Sequence, residues 1–167
     1  MDYDFTPKKT DENVTIFPGA MVIGDVTFGK GCSVWYNAVM RSGKPIRIGK
    51  MCNIQDNCTF HSDVTPTILG DNVVVGHGAI VHGATVGNNV LIGMGAVLLD
   101  GAVIGDNCFI AAGALVTGKM NAPEGSFIMG NPAKIVRQVT EKELQTIKGS
   151  VKYYYDESEE FKEQVNK

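Results

Sequence analysis

The chain has 167 residues, 44% of them apolar, which is enough for one domain with a sizeable core. Fifteen Lys and Arg stand against 18 Asp and Glu, a net charge of −3 that favours neither nucleic acid nor an anionic membrane as partner. No stretch approaches the roughly 18 consecutive apolar residues of a membrane span. The opening Met1-Asp2-Tyr3-Asp4-Phe5 is neither basic nor apolar enough for a leader, so a cytoplasmic location is expected.

The first 15 residues read as an N-terminal arm. From Ile16 onward a large apolar residue recurs every six positions: Ile16, Val22, Phe28, Val34 and Met40. The period resumes at Ile48, Ile54 and Phe60, then at Leu69, Val75 and Val81, and finally runs from Val86 through Ile92, Leu98, Ile104 and Ile110 to Val116. Insertions at 41–47 and 61–68 interrupt it. Six is not a multiple of 3.6, and the 20 glycines would each cost a helix about 1 kcal/mol. Short strands joined by tight corners fit instead, with the apolar residues pointing inward and glycine or asparagine at the corners. Three hexads make one coil, so the seventeen marked positions predict an all-β fold over 16–118, a parallel β-helix of nearly six coils. Cys32, Cys52, Cys58 and Cys108 form no CxxC pair and read as reduced, half-buried residues.

Residues 119–139 read as a turn-rich exit containing Asn121-Ala122-Pro123-Glu124-Gly125. Thr140 followed by Glu143 is a capping-box pattern that predicts a helix over 140–167. Its apolar positions, Leu144, Ile147, Val151 and Tyr154 or Tyr155, lie at helical spacing, and this face is expected to cover a flank of the β-helix.

The three histidines fall between 61 and 82. His61 follows Phe60 and His82 follows Val81, three hexads apart, so they should share one position on one face in successive coils, about 4.8 Å apart. Two imidazoles that close can share a metal. Arg41 follows Met40 and joins the same column. His77 comes two places after Val75 and lies one face earlier, which makes it hard for all three rings to meet within one subunit; a neighbouring subunit could bring its own His77 to the pair, and a trimer is the natural closure for three-sided prisms. Asp56 should stack beneath His77, flanked by Gln55 and Asn53. Arg41 and Asp56 fit an interface ion pair equally well, and the Asn-x-Gln-Asp run also fits ordinary corner chemistry.

The run Asn53-Ile54-Gln55-Asp56-Asn57-Cys58-Thr59-Phe60-His61, with Gly76-His77-Gly78, His82-Gly83, Gly93-Met94-Gly95-Ala96 and Gly130-Asn131-Pro132-Ala133-Lys134, resembles the gamma-class carbonic anhydrase family. The resemblance implies a left-handed β-helix and a homotrimer with zinc, or iron or cobalt, at each interface. It implies that His61 and His82 of one subunit and His77 of the next are the ligands, and that Arg41, Asn53, Gln55 and Asp56 line the site. Family members commonly carry an aspartate two residues after the arginine, where Gly43 stands here; the loop glutamate of the best-characterised branch is missing, with Asp63 the only acid in 62–67.

Three neutral imidazoles and an open position make zinc hydroxide, which hydrates carbon dioxide, with Gln55 holding the reacting group. Two other small-molecule reactions fit the same frame: an acyl-coenzyme A acyltransferase with one histidine as general base, and a metal-dependent thioesterase. A zinc staple without catalysis is the fourth reading.

Overall fold

The structure, a computed structural model, describes residues 13–165; most of the expected arm therefore lies outside the described residues. The six-residue period becomes three parallel sheets around one prism. The first face carries Thr15–Ile16, Ser33–Val34, Asn53–Ile54, Val74–Val75, Leu91–Ile92, Phe109–Ile110 and Ser126–Gly130. On the second are Met21–Ile23, Val39–Ser42, Thr59–Ser62, Ile80–His82, Val97–Leu98 and Leu115–Val116. Val26–Phe28, Ile46–Ile48, Thr67–Leu69, Thr85–Val86, Val103–Ile104 and Asn121–Ala122 make the third.

The marked residues point into the prism: Val34, Met40, Ile54, Phe60, Val75 and Val81 are all fully buried. Burying one such side chain contributes about 1.5–3 kcal/mol, so a charge at any one of them would open the stack. Each strand hydrogen-bonds to the coil above, as Gly76 N–H does to the Ile92 carbonyl at 2.8 Å. Corners between the first and second faces pass through Asn37, Asn57 and Gly78, all with φ between 58° and 68°. That left-handed region suits asparagine and glycine, which is why they punctuate the repeat.

One boundary differs from the sequence reading. Parallel pairing continues past 118, through Asn121–Ala122 and on to Ser126–Gly130, because Ala122 and Ile128 keep filling the inward position. The chain then turns back, and Ala133–Gln138 pairs antiparallel with Ser126–Gly130. The four cysteines are fully buried rather than half-buried, and all are free thiols.

The helix Glu141–Val165 starts on the expected capping box: the Thr140 N–H donates to Glu143 Oε2 at 2.8 Å, and the Glu143 N–H donates to Thr140 Oγ1 at 3.3 Å. It packs across the first face, against the strands at 15–16, 33–34, 53–54 and 74–75. Ile147 is buried beneath it, and Trp35 meets Tyr154 and Phe161 edge-on at centroid distances of 6.0 and 6.2 Å. Among the described residues no helix is long and apolar enough to cross a membrane.

Candidate metal centre

In-register parallel pairing puts Arg41 beside His61 and His61 beside His82, in three successive coils of the second face. The two rings stand 5.1 Å apart between centroids, inclined at 72°. His61 Nδ1 contacts the Arg41 carbonyl oxygen at 2.7 Å, and His82 Nδ1 contacts Asp100 Oδ2. A carbonyl and a carboxylate only accept, so Nδ1 carries the proton on both rings and each Nε2 keeps its lone pair. Imidazole Nε2 donors backed in this way by an oxygen on Nδ1 are what zinc, iron or cobalt sites use, so the residues present fit a divalent transition metal.

The support behind His82 depends on an absent side chain. Gly83 has φ +60°, and a Cβ there would collide with the Asp100 carboxylate and the Thr65 hydroxyl. Thr65 Oγ1 lies 2.9 Å from Asp100 Oδ1 and 2.7 Å from the Gly83 carbonyl oxygen. Burial alone would raise the Asp100 carboxyl, but its hydrogen bonds with Thr65 and His82 outweigh burial and hold it below the ordinary carboxylate range. The loop after His61 also brings Asp63 up to the two rings: Oδ2 is 3.7 Å from His61 Nε2 and Oδ1 is 3.9 Å from His82 Nε2.

His77 sits on the corner between the first and second faces, followed by Gly78 at φ +68°. It is not part of the cluster of His61, Asp63 and His82. Its Nδ1 faces Asp56 Oδ2 at 2.9 Å, one coil below, so this ring too turns its Nε2 outward to its surroundings. The buried Gln55 accepts from the His77 backbone N–H through Oε1 at 3.0 Å. It also borders a groove of about 280 Å³ between the helix and the first face, together with Gly93, Met94 and Tyr154. Asn53 is buried farther along the first face and donates to Ser33 Oγ at 2.8 Å, which also accepts from the Trp35 indole at 3.1 Å; Asn53 Oδ1 has no hydrogen-bond partner among the described residues. Arg41 contributes its carbonyl, while its side chain is exposed.

The expected residues thus fall into two halves within one subunit: Arg41, His61 and His82 on the second face, and Asn53, Gln55, Asp56 and His77 on or beside the first. Sequence reasoning missed the parts played by Asp63, Thr65 and Asp100. The hexad frame carries a signal for Asp100, since Leu98 stacks on Val81 and the Gly101 N–H reaches the Gly83 carbonyl. Asp63 and Thr65 lie in an insertion, where the frame says nothing.

A family model described as "Bacterial transferase hexapeptide (six repeats)" matches residues 66–100 and 83–118. "Gamma carbonic anhydrase 2, mitochondrial" of Arabidopsis thaliana is 45% identical over 152 residues, 86% of this chain. The chain spans only 55% of that relative's length. A protein of Methanocaldococcus jannaschii named "Probable carbonic anhydrase" is 49% identical over 150 residues, 89% of this chain and 94% of that one. Among solved structures, a hexapeptide transferase family protein from Anaplasma phagocytophilum matches with a TM-score of 0.84 at 37% identity, over 91% of each chain.

Proposed function

We propose that this chain, which belongs to the gamma carbonic anhydrase family of hexapeptide-repeat proteins, hydrates carbon dioxide to bicarbonate at metal sites shared between the subunits of a homotrimer. The observation that carries this reading is the orientation of three imidazoles, each with Nδ1 facing an oxygen (Arg41 O, Asp56 Oδ2, Asp100 Oδ2) and Nε2 left to bind. His61 and His82 hold the metal from one subunit, and His77 reaches it from the next. A zinc, iron or cobalt ion held there would supply hydroxide near neutral pH by lowering the pKa of bound water to about 7.

The chain's own residues do the rest. Asp100 and the Arg41 carbonyl hold the rings of one half against rotation, and Asp56 does so for His77. Gln55 travels with His77, so the neighbour that donates the histidine also donates the amide that orients the reacting group. Asn53 supports this half from the buried first face. The exposed Arg41 guanidinium faces the neighbour, where Asp56 is the acid that balances it.

An acyltransferase remains the second reading, favoured by the transferase name of the structural relative. Such a reaction asks one histidine to act as general base on Nε2. Its need for a single base gives no reason for three imidazoles with the same backing. Stopped-flow hydration of carbon dioxide by metal-loaded protein tests the proposal, with acetyl transfer from acetyl-coenzyme A by chelated protein as the opposing assay. Transfer without hydration would reverse the choice.

A further inference from the structure

Val64, on the loop that follows His61, exposes 74% of its surface. A lone exposed valine is ordinary. This one, however, stands on a loop that cannot fold it away: Thr65 bonds the Gly83 and Asp100 oxygens, and Thr67 Oγ1 donates to the His61 carbonyl at 3.1 Å. Val64 is thereby held out beside the His61/His82 pair.

A hollow of matching chemistry lies at the other half of the site. The groove of about 280 Å³ between the helix and the first face is walled by Val74, Leu91, Met94, Phe109 and Tyr154, and Gln55 borders it. It reaches the His77 corner at Met94: Ile92 pairs with Val75, and the Gly95 N–H donates to the His77 carbonyl at 2.9 Å, so Met94 lies one coil above His77. Met94 exposes 61% of its surface there.

Knob and hollow meet when the site closes. His77 and His82 belong to the same coil, so a three-fold axis along the prism brings a neighbour's His77 level with the His61/His82 pair. The neighbour's first face, just beyond its His77 corner, then turns toward the loop after His61. The heights agree as well, since the loop is tied to Gly83, in the coil of His77, and to Asp100, in the coil of Met94. The geometry points to Val64 as an apolar knob that seats in the Met94–Tyr154 groove of the neighbouring subunit. This rests on the shared-site reading above and adds the contact that holds the two halves together. The loop that docks is bonded to the carboxylate behind His82, so one packing contact sets the neighbour's His77 against the pair and covers the groove beside Gln55.

The test is cross-linking. Val64→Cys, Met94→Cys and the double variant are treated with a short bismaleimide, which joins two accessible thiols; the four native cysteines are buried. We expect the double variant to run as a covalent trimer on a denaturing gel, and each single variant to run as a monomer. No cross-link, or one confined to a single chain, in a double variant that light scattering shows to be trimeric overturns the inference and leaves the shared metal site standing. A monomer that holds stoichiometric metal overturns the shared-site reading itself. Assembly gives a second measurement: Val64→Ala removes about two methylene equivalents from each contact and should raise its dissociation constant about tenfold, and Val64→Asp should raise it further. Dissociation unchanged in both variants overturns the inference.

Discussion

The Asp100 carboxylate rests on His82 Nδ1 from one coil above, in space that exists only because residue 83 has no side chain. The contact fixes which nitrogen of His82 is free and which way the ring faces. Asp100→Ala should lower metal affinity about 10–100-fold while leaving thermal stability nearly unchanged, measured by zinc competition and a melting curve. Gly83→Ala should do at least as much damage, since its Cβ displaces both Asp100 and Thr65 and must adopt φ +60°. Full affinity in both variants would show that ring orientation is set elsewhere.

His61 and His77 belong to different halves of the proposed site, and this makes complementation possible. His61→Ala and His77→Ala proteins should each lack activity. Mixed at equal amounts and allowed to exchange subunits, they should regain metal and activity at about a quarter of the interfaces, where an intact His61/His82 pair meets an intact His77. Two dead proteins that stay dead after demonstrated exchange would show that no site spans an interface.

Gln55 touches the His77 backbone rather than a ring nitrogen. Gln55→Ala should keep metal content within a small factor of wild type and lower kcat for carbon dioxide hydration by about 10²-fold, the loss seen when one positioning donor is removed from a reacting centre. A drop confined to metal content would reassign Gln55 to holding the corner.

The helix cap makes a separate prediction about acid. The Arg137 guanidinium, bonded to Glu143 at 2.7 and 2.8 Å, and the Thr140 cap together lower the Glu143 carboxyl to about 2. An unfolded glutamate titrates near 4.3, so the folded state binds this proton less readily. The stabilisation is then complete above about pH 4.3 and disappears as pH falls toward 2. Glu143→Gln should melt below wild type at pH 7, and the gap should close as the pH is lowered through that window. A gap that does not change with pH would assign the cost to packing instead of charge.

Much of this molecule could be deduced from spacing alone. A coil of three hexads stacked at a fixed rise is nearly one-dimensional, so counting residues determines which side chains are buried and which share a column. That logic set Arg41, His61 and His82 in one line and put Asp56 under His77, and pairing in the structure matches both. The same arithmetic stopped too early at 118: Ala122 and Ile128 continue the six-residue step from Val116, but the inward residue at 122 is a small alanine in a segment rich in turns.

What the period could not decide is everything held by residues that break it. Asp63 and Thr65 lie in an insertion whose path depends on the loops above and below, and Asp100 reaches His82 across a corner, not along a strand. The chain from Asn53 through Ser33 to Trp35 likewise depends on how the first face packs beneath the helix. Strand register is a local, repeated interaction and leaves its period in the sequence. Loop and corner contacts join residues 18 and 35 positions apart by a single side-chain bond each, and only the folded coils bring those atoms within reach.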